Sequence, residues 1–309
     1  MDALVSLRSA VRTTLSNFSP GDLILVAVSG GADSLALAEA AKLEADKLAL
    51  RLIGVTIDHQ LQTGSDLQAE SVVKQLSFPC LIEKVKVEIT DGVEASARRA
   101  RYEALSRVAK EKGAVAVLLG HTKDDQAETV LLGLARGSGS RSLSGMAAET
   151  GIYRRPFLNI TRAQTLAACK ELKLNPWQDP HNDDLSFLRV RVRKEVLPMM
   201  EKNLGPGISD ALVRSANLLR DDADALDKLA ADFWKEDDSL SIEALEALPR
   251  AIRTRVLRLA LFEKGVMQLT ADQIGQVDAL ISNWKGQGEV SLPSGVKVSR
   301  ISGRLTLSN

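Results

Sequence analysis

The sequence predicts an α/β protein whose N-terminal domain is a doubly wound parallel sheet, followed by a helical segment and a small α+β C-terminal domain. Apolar runs of strand length alternate with helical patterns between Leu23 and Ala135. Because strands that alternate with helices need crossover connections, this rhythm favours a parallel sheet with helices on both faces. The rhythm stops after Leu158, and short alternating runs return only in the tail.

Four strands and four helices are predicted in the first half of the chain. The leading strand, LILVAV, is apolar without interruption, which is typical of a strand buried on both faces. The third strand alternates apolar and polar residues, as a half-buried strand does. The strands are predicted over residues 23–28, 50–57, 81–89 and 114–119. The helices are predicted over 32–48, from after His59 to 76, over 94–112 and over 124–135.

The second half of the chain is predicted to be mainly helical. Thr161 is the expected N-cap of a helix that reaches Leu174, because its hydroxyl can accept a hydrogen bond from a free amide of the first turn. Residues 189–264 have a helical pattern with breaks at 205–207 and 248–249, and the tail indicates a small β-meander over 288–307. We place the domain boundary at the Gly-Pro-Gly break, which gives domains of residues 1–205 and 206–309.

The composition describes a globular protein. Of its 309 residues, 45% are hydrophobic and 26% are charged, and the length suggests two domains. No apolar run approaches the roughly 20 residues that cross a bilayer, and the N-terminus lacks the pattern of a signal peptide. Cys80 and Cys169 form neither a disulfide framework nor a Cys-x-x-Cys pair. We therefore expect a cytoplasmic protein with no membrane partner.

A glycine-rich bend between the first strand and its helix carries the strongest chemical signal. Paired glycines let a backbone approach an anion closely, and the free amides at the start of a helix attract phosphate. Asp33 would repel a bare phosphate, so we interpret it as a ligand of a bridging Mg²⁺. The alternative is a structural turn capped by Ser34 or Asp33. The predicted phosphate-binding residues, which would hold the phosphates of a nucleotide, are Ser29, Gly30, Gly31, Ala32, Asp33 and Ser34.

A second group of polar residues follows the fourth predicted strand. Asp125 and Glu128 share one face at the start of a helix, and His121 precedes them. Such a group can orient a cation, either Mg²⁺ or an amine; the alternative is an ordinary capped helix. In a parallel sheet the strand ends meet at one edge, so we expect this group, Asp58-His59 and the glycine bend to converge on one cleft.

Arginines cluster in the half of the chain that holds these motifs. The net charge is +0, so any binding of nucleic acid must rely on local clusters. The alternative is solvated surface charge. The candidates for contact with nucleic-acid phosphates are Arg98, Arg101, Arg136, Arg141, Arg155, Arg189, Arg191 and Arg193.

The motifs resemble those of a known family. Ser-Gly-Gly-x-Asp-Ser after the first strand is the signature of the PP-loop ATP pyrophosphatases. Residues 119–146, LGHTKDDQAETVLLGLARGSGSRSLSGM, are similar to a hallmark of the tRNA(Ile)-lysidine synthetases, a family within that superfamily. Similar matches are ARRARY at 97–102, RPFL at 155–158, WQDPHND at 177–183, FLR at 187–189, EVLP at 195–198, NWKGQ at 283–287 and LPSGV at 292–296.

The resemblance implies a ligase that joins lysine to the wobble cytidine of a CAU-anticodon tRNA(Ile) through an adenylated cytidine. It implies ATP and Mg²⁺ as cofactors, with tRNA(Ile) and free L-lysine as partners. A homodimer is left open. The implied catalytic residues are Asp33, Asp125, Glu128 and His121; which of the last three deprotonates the lysine amine is also left open.

The sequence departs from the family pattern at two places. Gln62 stands where the family has an arginine, and His181 stands where the family often has a serine. Three other functions remain as alternatives. A tRNA thiolase would need the paired cysteines that this chain lacks, and an amidating ligase would need an ammonia source. A non-catalytic tRNA-binding protein would not need the intact Asp33 and Asp125.

Overall fold

A computed structural model describes residues 2–60, 64–90, 92–137, 139–267 and 269–308, without the side chains of Val93, Glu94, Pro180 and His181. Gln62, where the family arginine is missing, lies outside the described residues, as does the side chain of His181. The strands are β1 (Leu23–Ala27), β2 (Arg51–Asp58), β3 (Cys80–Lys84), β4 (Ala116–Leu118), β5 (Glu149–Thr150), β6 (Tyr153–Arg154), β7 (Val290–Ser291), β8 (Lys297–Ile301) and β9 (Arg304–Ser308).

Helices connect the strands along the chain. They are α1 (Ala3–Leu15), α2 (Ala32–Lys47), α3 (Ser65–Gln75), α4 (Val93–Lys112), α5 (Lys123–Ala135), α6 (Ser140–Leu143), α7 (Arg162–Glu171), α8 (Leu188–Arg191), α9 (Leu197–Leu204), α10 (Ile208–Glu236), α11 (Ile242–Glu246), α12 (Arg250–Glu263) and α13 (Ala271–Ser282). A π-helical segment, Val192–Val196, joins α8 to α9. Among the helices described, none is long and apolar enough to cross a membrane.

The chain forms two compact units, Met1–Asn217 and Leu218–Asn309. The division falls within α10, and the domain limits at residues 205 and 206 stay a prediction. The first unit contains a six-stranded sheet in the order β3-β2-β1-β4-β6-β5, in which only β5 runs antiparallel to its neighbour. The predicted doubly wound α/β fold is therefore confirmed.

Helices cover both faces of this sheet. On one face α1, α2 and α7 pack in a buried cluster that includes Leu7, Leu35 and Cys169. On the other face α4 packs Leu105 and Val108 against side chains of β1, β2 and β4. The central strand β1 is buried along four of its five residues, as its apolar run predicts.

The parallel strands place their carboxyl ends at one edge of the sheet. The glycine bend follows β1, His59 follows β2, and Gly120-His121 follows β4. Helix α4 connects β3 to β4 as a crossover, so it runs antiparallel to the strands and its first turns begin at this same edge. The edge therefore gathers the ends of these three strands and the starts of three helices, α2, α4 and α5.

Several elements differ from their sequence prediction. Strand β3 ends at Lys84 instead of residue 89, because Lys84 is already opposite Asp58, the last residue of its only neighbour β2. Helix α1 and the short strands β5 and β6 are not predicted by the sequence pattern. The predicted helix over 189–264 is broken at 205–207 and near 248–249, as expected, and also between Glu236 and Ile242.

The second unit has a core of its own. Its apolar side chains come from α11, α12 and α13 and from the antiparallel sheet β7-β8-β9, which is the predicted β-meander. Arg253 and Asp278 form a buried ion pair, with 2.6 Å between Nε and Oδ1. The Arg253 guanidinium also donates to the carbonyl of Leu248, so this buried cation is well supplied with acceptors.

Candidate active site

The backbone of the bend between β1 and α2 is fixed by Gly30 and by the residues that pack against it. Gly30 has φ +86°, in the left-handed region that favours glycine. A Cβ on Gly30 would lie 2.7 Å from Cγ2 of Val72, so α3 leaves no room for a side chain. The Trp177 amide donates to the Gly30 carbonyl at 2.9 Å, so a residue from outside the bend also holds its backbone.

The first amides of α2 lack a side-chain cap. Gly31 is the N-cap residue and has no side chain to accept from these amides. The hydroxyl of Ser34 accepts from the Ser29 amide at 3.1 Å and donates to the Gly31 carbonyl at 2.9 Å, so it fixes the shape of the bend. Free amides at a helix N-terminus are the usual seat of a phosphate group.

Asp33 lies in the first turn of α2 and faces α7. Thr165 donates its hydroxyl to Oδ1 of Asp33, and Nε of Arg162 donates to Oδ2 at 3.4 Å. Burial raises the pKa of Asp33 above its usual range, and the nearby Asp125 carboxylate adds to this; Arg162 and Thr165 act in the opposite direction. The carboxylate is thus placed where a further positive charge would stabilise it.

Asp125 divides its two oxygens between a helix cap and an ion pair. Its Oδ2 accepts from the backbone amide of Thr122 at 2.8 Å, while the Thr122 hydroxyl accepts from the Asp125 amide, which completes a capping box. Its Oδ1 accepts from Nη2 of Arg162 at 3.1 Å. Burial alone would raise the pKa of Asp125, but Arg162, Arg189 and the Thr122 amide lower it below its usual value.

Glu128 is fully buried one turn further along α5. Nε of Arg189 donates to its Oε2 at 2.8 Å, and Nε of Arg193 donates to its Oε1 at 2.6 Å. Arg193 belongs to the π-helical segment after α8, a form of helix found often at functional sites. A buried carboxylate with two guanidinium partners is a fixed part of the site, since either cation alone would leave it poorly compensated.

One guanidinium, that of Arg162, connects the two sequence motifs. It contacts Asp33 and Asp125, and its Nη1 lies 4.0 Å from Oε1 of Glu128. The ends of β1 and β4 are also close, because a Cβ on Gly120 would lie only 3.1 Å from the carbonyl oxygen of Asp33. The structure therefore brings together Asp33, Asp125 and Glu128 around an arginine and a threonine, Arg162 and Thr165, that the sequence analysis did not assign to the site.

His121 lies beside these carboxylates. It is half-buried, and its Nδ1 is enclosed without a hydrogen-bond partner. Burial lowers the pKa of His121 to about 3, against the opposing effect of Asp125. The imidazole is therefore neutral near pH 7 and offers one N–H donor and one acceptor.

The arginine candidates fall into two groups. Arg98, Arg136, Arg141 and Arg191 are exposed. The remaining four are engaged or enclosed: Arg189 and Arg193 hold Glu128, Arg155 donates to the Ala147 carbonyl at 2.8 Å, and Arg101 is enclosed at Nε without a partner. A role in tRNA contact stays a prediction for all eight.

The fold and the bend define the class of the protein. The family model of the PP-loop domain matches residues 5–200. The fold is also similar to that of a U34-tRNA thiolase from Methanococcus maripaludis, with a TM-score of 0.59 and 18% identity, over 71% of this chain and 79% of that one. The chain is a PP-loop protein.

Two further findings narrow the class to one family. A model described as the TilS substrate binding domain matches residues 240–306, within the second unit. The chain is 52% identical to a tRNA(Ile)-lysidine synthase of Streptomyces coelicolor, over 92% of this chain and 85% of the relative. It is 48% identical to that of Thermobifida fusca, over 98% and 96%. The chain belongs to the tRNA(Ile)-lysidine synthase family.

Proposed function

We propose that this chain ligates lysine to C2 of the wobble cytidine in CAU-anticodon tRNA(Ile), at the expense of ATP. The observation that carries this proposal is the bridge that Arg162 makes between Asp33 of the glycine bend and Asp125 of α5. Because this bridge joins the two motifs, a triphosphate on the bend would have its α-phosphate close to the acids of the second motif. The substrates in this proposal follow from the family. The arrangement of Asp33, Arg162 and Asp125 would provide one site for both steps of the reaction, adenylation of cytidine and transfer of lysine.

In the first step, the C2 oxygen of cytidine attacks the α-phosphorus of ATP, and pyrophosphate leaves. The uncapped amides of α2 would hold the phosphate chain, and the negative charge that develops would be stabilised by these amides and by Arg162. Nothing in this step needs an enzyme nucleophile. This is consistent with Cys80 and Cys169, since burial raises the pKa of each thiol to about 11 and keeps it protonated.

In the second step, the lysine side-chain amine attacks C2, and AMP leaves with the oxygen. The ammonium must first lose a proton, because only the free amine has a lone pair to donate. Asp125, Glu128 and His121 stay candidates for holding this ammonium group and for taking its proton. Asp125 and Glu128 already accept from arginines, and the neutral His121 adds no positive charge that would repel the incoming group.

We assign Mg²⁺ to Asp33. No group of three or more His, Cys, Asp or Glu side chains in the described part of the chain is arranged to bind a metal by itself. One carboxylate with phosphate oxygens is, however, the donor set that Mg²⁺ prefers, and burial leaves the Asp33 charge in need of a cation. When bound, the ion would neutralise the leaving pyrophosphate.

Free L-lysine and tRNA(Ile) are the partners that this proposal requires, and the reaction belongs in the cytoplasm with its tRNA substrate. A homodimer stays a prediction that sedimentation equilibrium can check. The tRNA thiolase alternative is not favoured, because the relatives carry a different activity in their names and both thiols have a raised pKa.

The test is incorporation of labelled lysine into total tRNA with ATP and Mg²⁺, with each component omitted in turn. We expect incorporation only in the complete mixture, and only into tRNA with a CAU anticodon. Incorporation without ATP, or no incorporation under any condition, would remove the proposed activity. Transfer of sulfur in place of lysine would establish the thiolase alternative.

A further inference from the structure

A second cluster of polar groups lies at the same edge of the sheet, outside the carboxylate bridge. It consists of Arg101 on α4, His59 after β2 and His121 after β4. Nε of Arg101 and Nδ1 of each histidine are enclosed, and none of the three atoms has a hydrogen-bond partner. Polar atoms that are buried without partners are rare in folded proteins and call for an explanation. We name these three residues the Arg101 cluster.

Arg101 is a half-buried cation whose Nε is enclosed, and it has no matching anion among the described residues. Its guanidinium forms no ion pair within the described residues, and its neighbours of like charge are Arg98 and Arg189. Burial, more than these arginines, lowers its pKa from the usual value, and Asp125 opposes the change only from a distance. Its Cζ lies 5.7 Å from the ring centroid of Tyr102, a contact that compensates the charge in part.

The two histidines do not supply the missing negative charge. Burial lowers the pKa of both His59 and His121, and Arg101 contributes to each shift, so both rings are neutral near pH 7. Neutral imidazoles can still donate to an anion that binds beside them. The Arg101 cluster is therefore a cation flanked by two neutral donors, which is the chemistry of a pocket for an oxyanion.

The proposed reaction brings two kinds of oxyanion to this edge besides the triphosphate: the carboxylate of lysine and the phosphates of the tRNA backbone. The Asp125 carboxylate and the Arg189 guanidinium both act electrostatically on Arg101, so the cluster lies near the second motif. Nε of Arg101 is closed off from solvent, which suits a small carboxylate better than a phosphate on a polymer chain. A lysine whose side-chain amine lies near Asp125 also carries an α-carboxylate a few bonds away. That carboxylate needs a cation as its partner.

We propose that the Arg101 cluster binds the α-carboxylate of the lysine substrate and thereby selects the amino acid over simple diamines. This inference rests on the proposed function. The two carboxylates of α5 would face the amine end of lysine, and Arg101 would face the other end. A partly buried arginine without an anion is costly, and an incoming carboxylate reduces that cost when lysine binds.

The test compares L-lysine with lysinamide, whose carboxylate is neutralised, and with cadaverine, which lacks it. For the unaltered protein we expect kcat/KM for lysine to exceed that for cadaverine by about 10- to 100-fold, as for loss of a charged hydrogen-bond partner. Arg101→Gln is expected to raise the KM for lysine until this preference falls within about threefold. KM values for ATP and tRNA stay unchanged. Arg101→Lys keeps the charge and should restore part of the preference.

Arg107→Gln is the matched control, since Arg107 lies on the same helix and pairs with Glu83 in an exposed position. Its preference for lysine should equal that of the unaltered protein. If Arg101→Gln slows lysine and cadaverine equally, or raises the KM for tRNA, the inference is wrong and, in the second case, the anion is a tRNA phosphate.

The unaltered protein tests the inference even if Arg101→Gln does not fold. If cadaverine is not a substrate, its inhibition constant against lysine replaces its kcat/KM. An unaltered protein that binds cadaverine as tightly as lysine has no carboxylate site. Failure of the proposed function gives a different result, because then no lysine is incorporated at all.

Discussion

The carboxylate of Asp33 has a role in the proposed reaction, but its burial lowers the stability of the folded protein. Burial is the largest reason that its pKa is raised, so the folded protein favours the protonated form. Stability from this group is therefore complete below the pKa of the unfolded chain and is lost as the pH rises through the folded pKa. Once it is ionised the side chain weakens the fold, so above the folded pKa we expect Asp33→Asn to leave the melting temperature unchanged or higher.

The same change should abolish most of the activity. An asparagine cannot hold Mg²⁺ against phosphate as a carboxylate does, so we expect kcat for lysine incorporation to fall by about 10²- to 10³-fold. Melting curves from pH 4 to pH 8 and a lysine incorporation assay measure the two effects. A large loss of stability above the folded pKa, or activity within threefold of the unaltered protein, would contradict this account of Asp33.

The residues of the site were only partly accessible from the sequence. Asp33 and Asp125 belong to local motifs, and their types and spacing predict their chemistry. Arg162 and Thr165 contact Asp33 across more than a hundred residues, and such a contact depends on how α7 packs. One local signal was available: α7 begins with Arg162 and has no acid in its first turn, which opposes the helix dipole and indicates a partner elsewhere.

At the scale of elements, the bend between β1 and α2 depends on glycine at one position. Gly30→Ala would place a Cβ against Val72 and force alanine into the left-handed region. We expect the free energy of unfolding to fall by about 1 to 3 kcal/mol, with weaker binding of a non-hydrolysable ATP analogue, because the uncapped amides would be displaced. Denaturant melts and equilibrium titration with the analogue measure both.

Gly31→Ala is the control for the stability part of this prediction. Gly31 has φ −72°, and a Cβ there would meet only Oγ of Ser29, at 3.7 Å. Its stability should change by less than half as much as that of Gly30→Ala. Equal losses from the two changes would mean that backbone strain at Gly30 is not what fixes the bend.

Helices and strands with long hydrophobic patterns were predicted correctly from the sequence. Strands whose length depends on pairing with a neighbouring strand were not. The apolar run of β1 and the spacing of α2 and α5 are local properties, so the sequence predicts them. Strand β3 is shorter than its alternating pattern because its neighbour β2 ends at Asp58. The pair β5–β6 has two residues in each strand, too few for any periodicity to be visible.

At the scale of the whole molecule, the net charge limits how the chain can attract tRNA. The chain has a net charge of +0, so attraction to tRNA cannot come from the total charge. It must come from local groups, and Arg98, Arg136 and Arg191 are exposed members of the predicted set in the first unit. Electrostatic binding of this kind releases counterions and weakens as salt is added.

We therefore expect Arg98→Gln, Arg136→Gln and Arg191→Gln each to weaken tRNA binding and to reduce the slope of log K against log salt by about 0.7 to 0.9, the value for one lost phosphate contact. Filter binding between about 50 and 200 mM salt measures the slope. Arg51→Gln is the matched control, since Arg51 is equally exposed but begins β2 at the opposite edge of the sheet. Because all four changes remove one charge, a slope that falls equally for Arg51 would show that total charge, and not these three positions, governs binding.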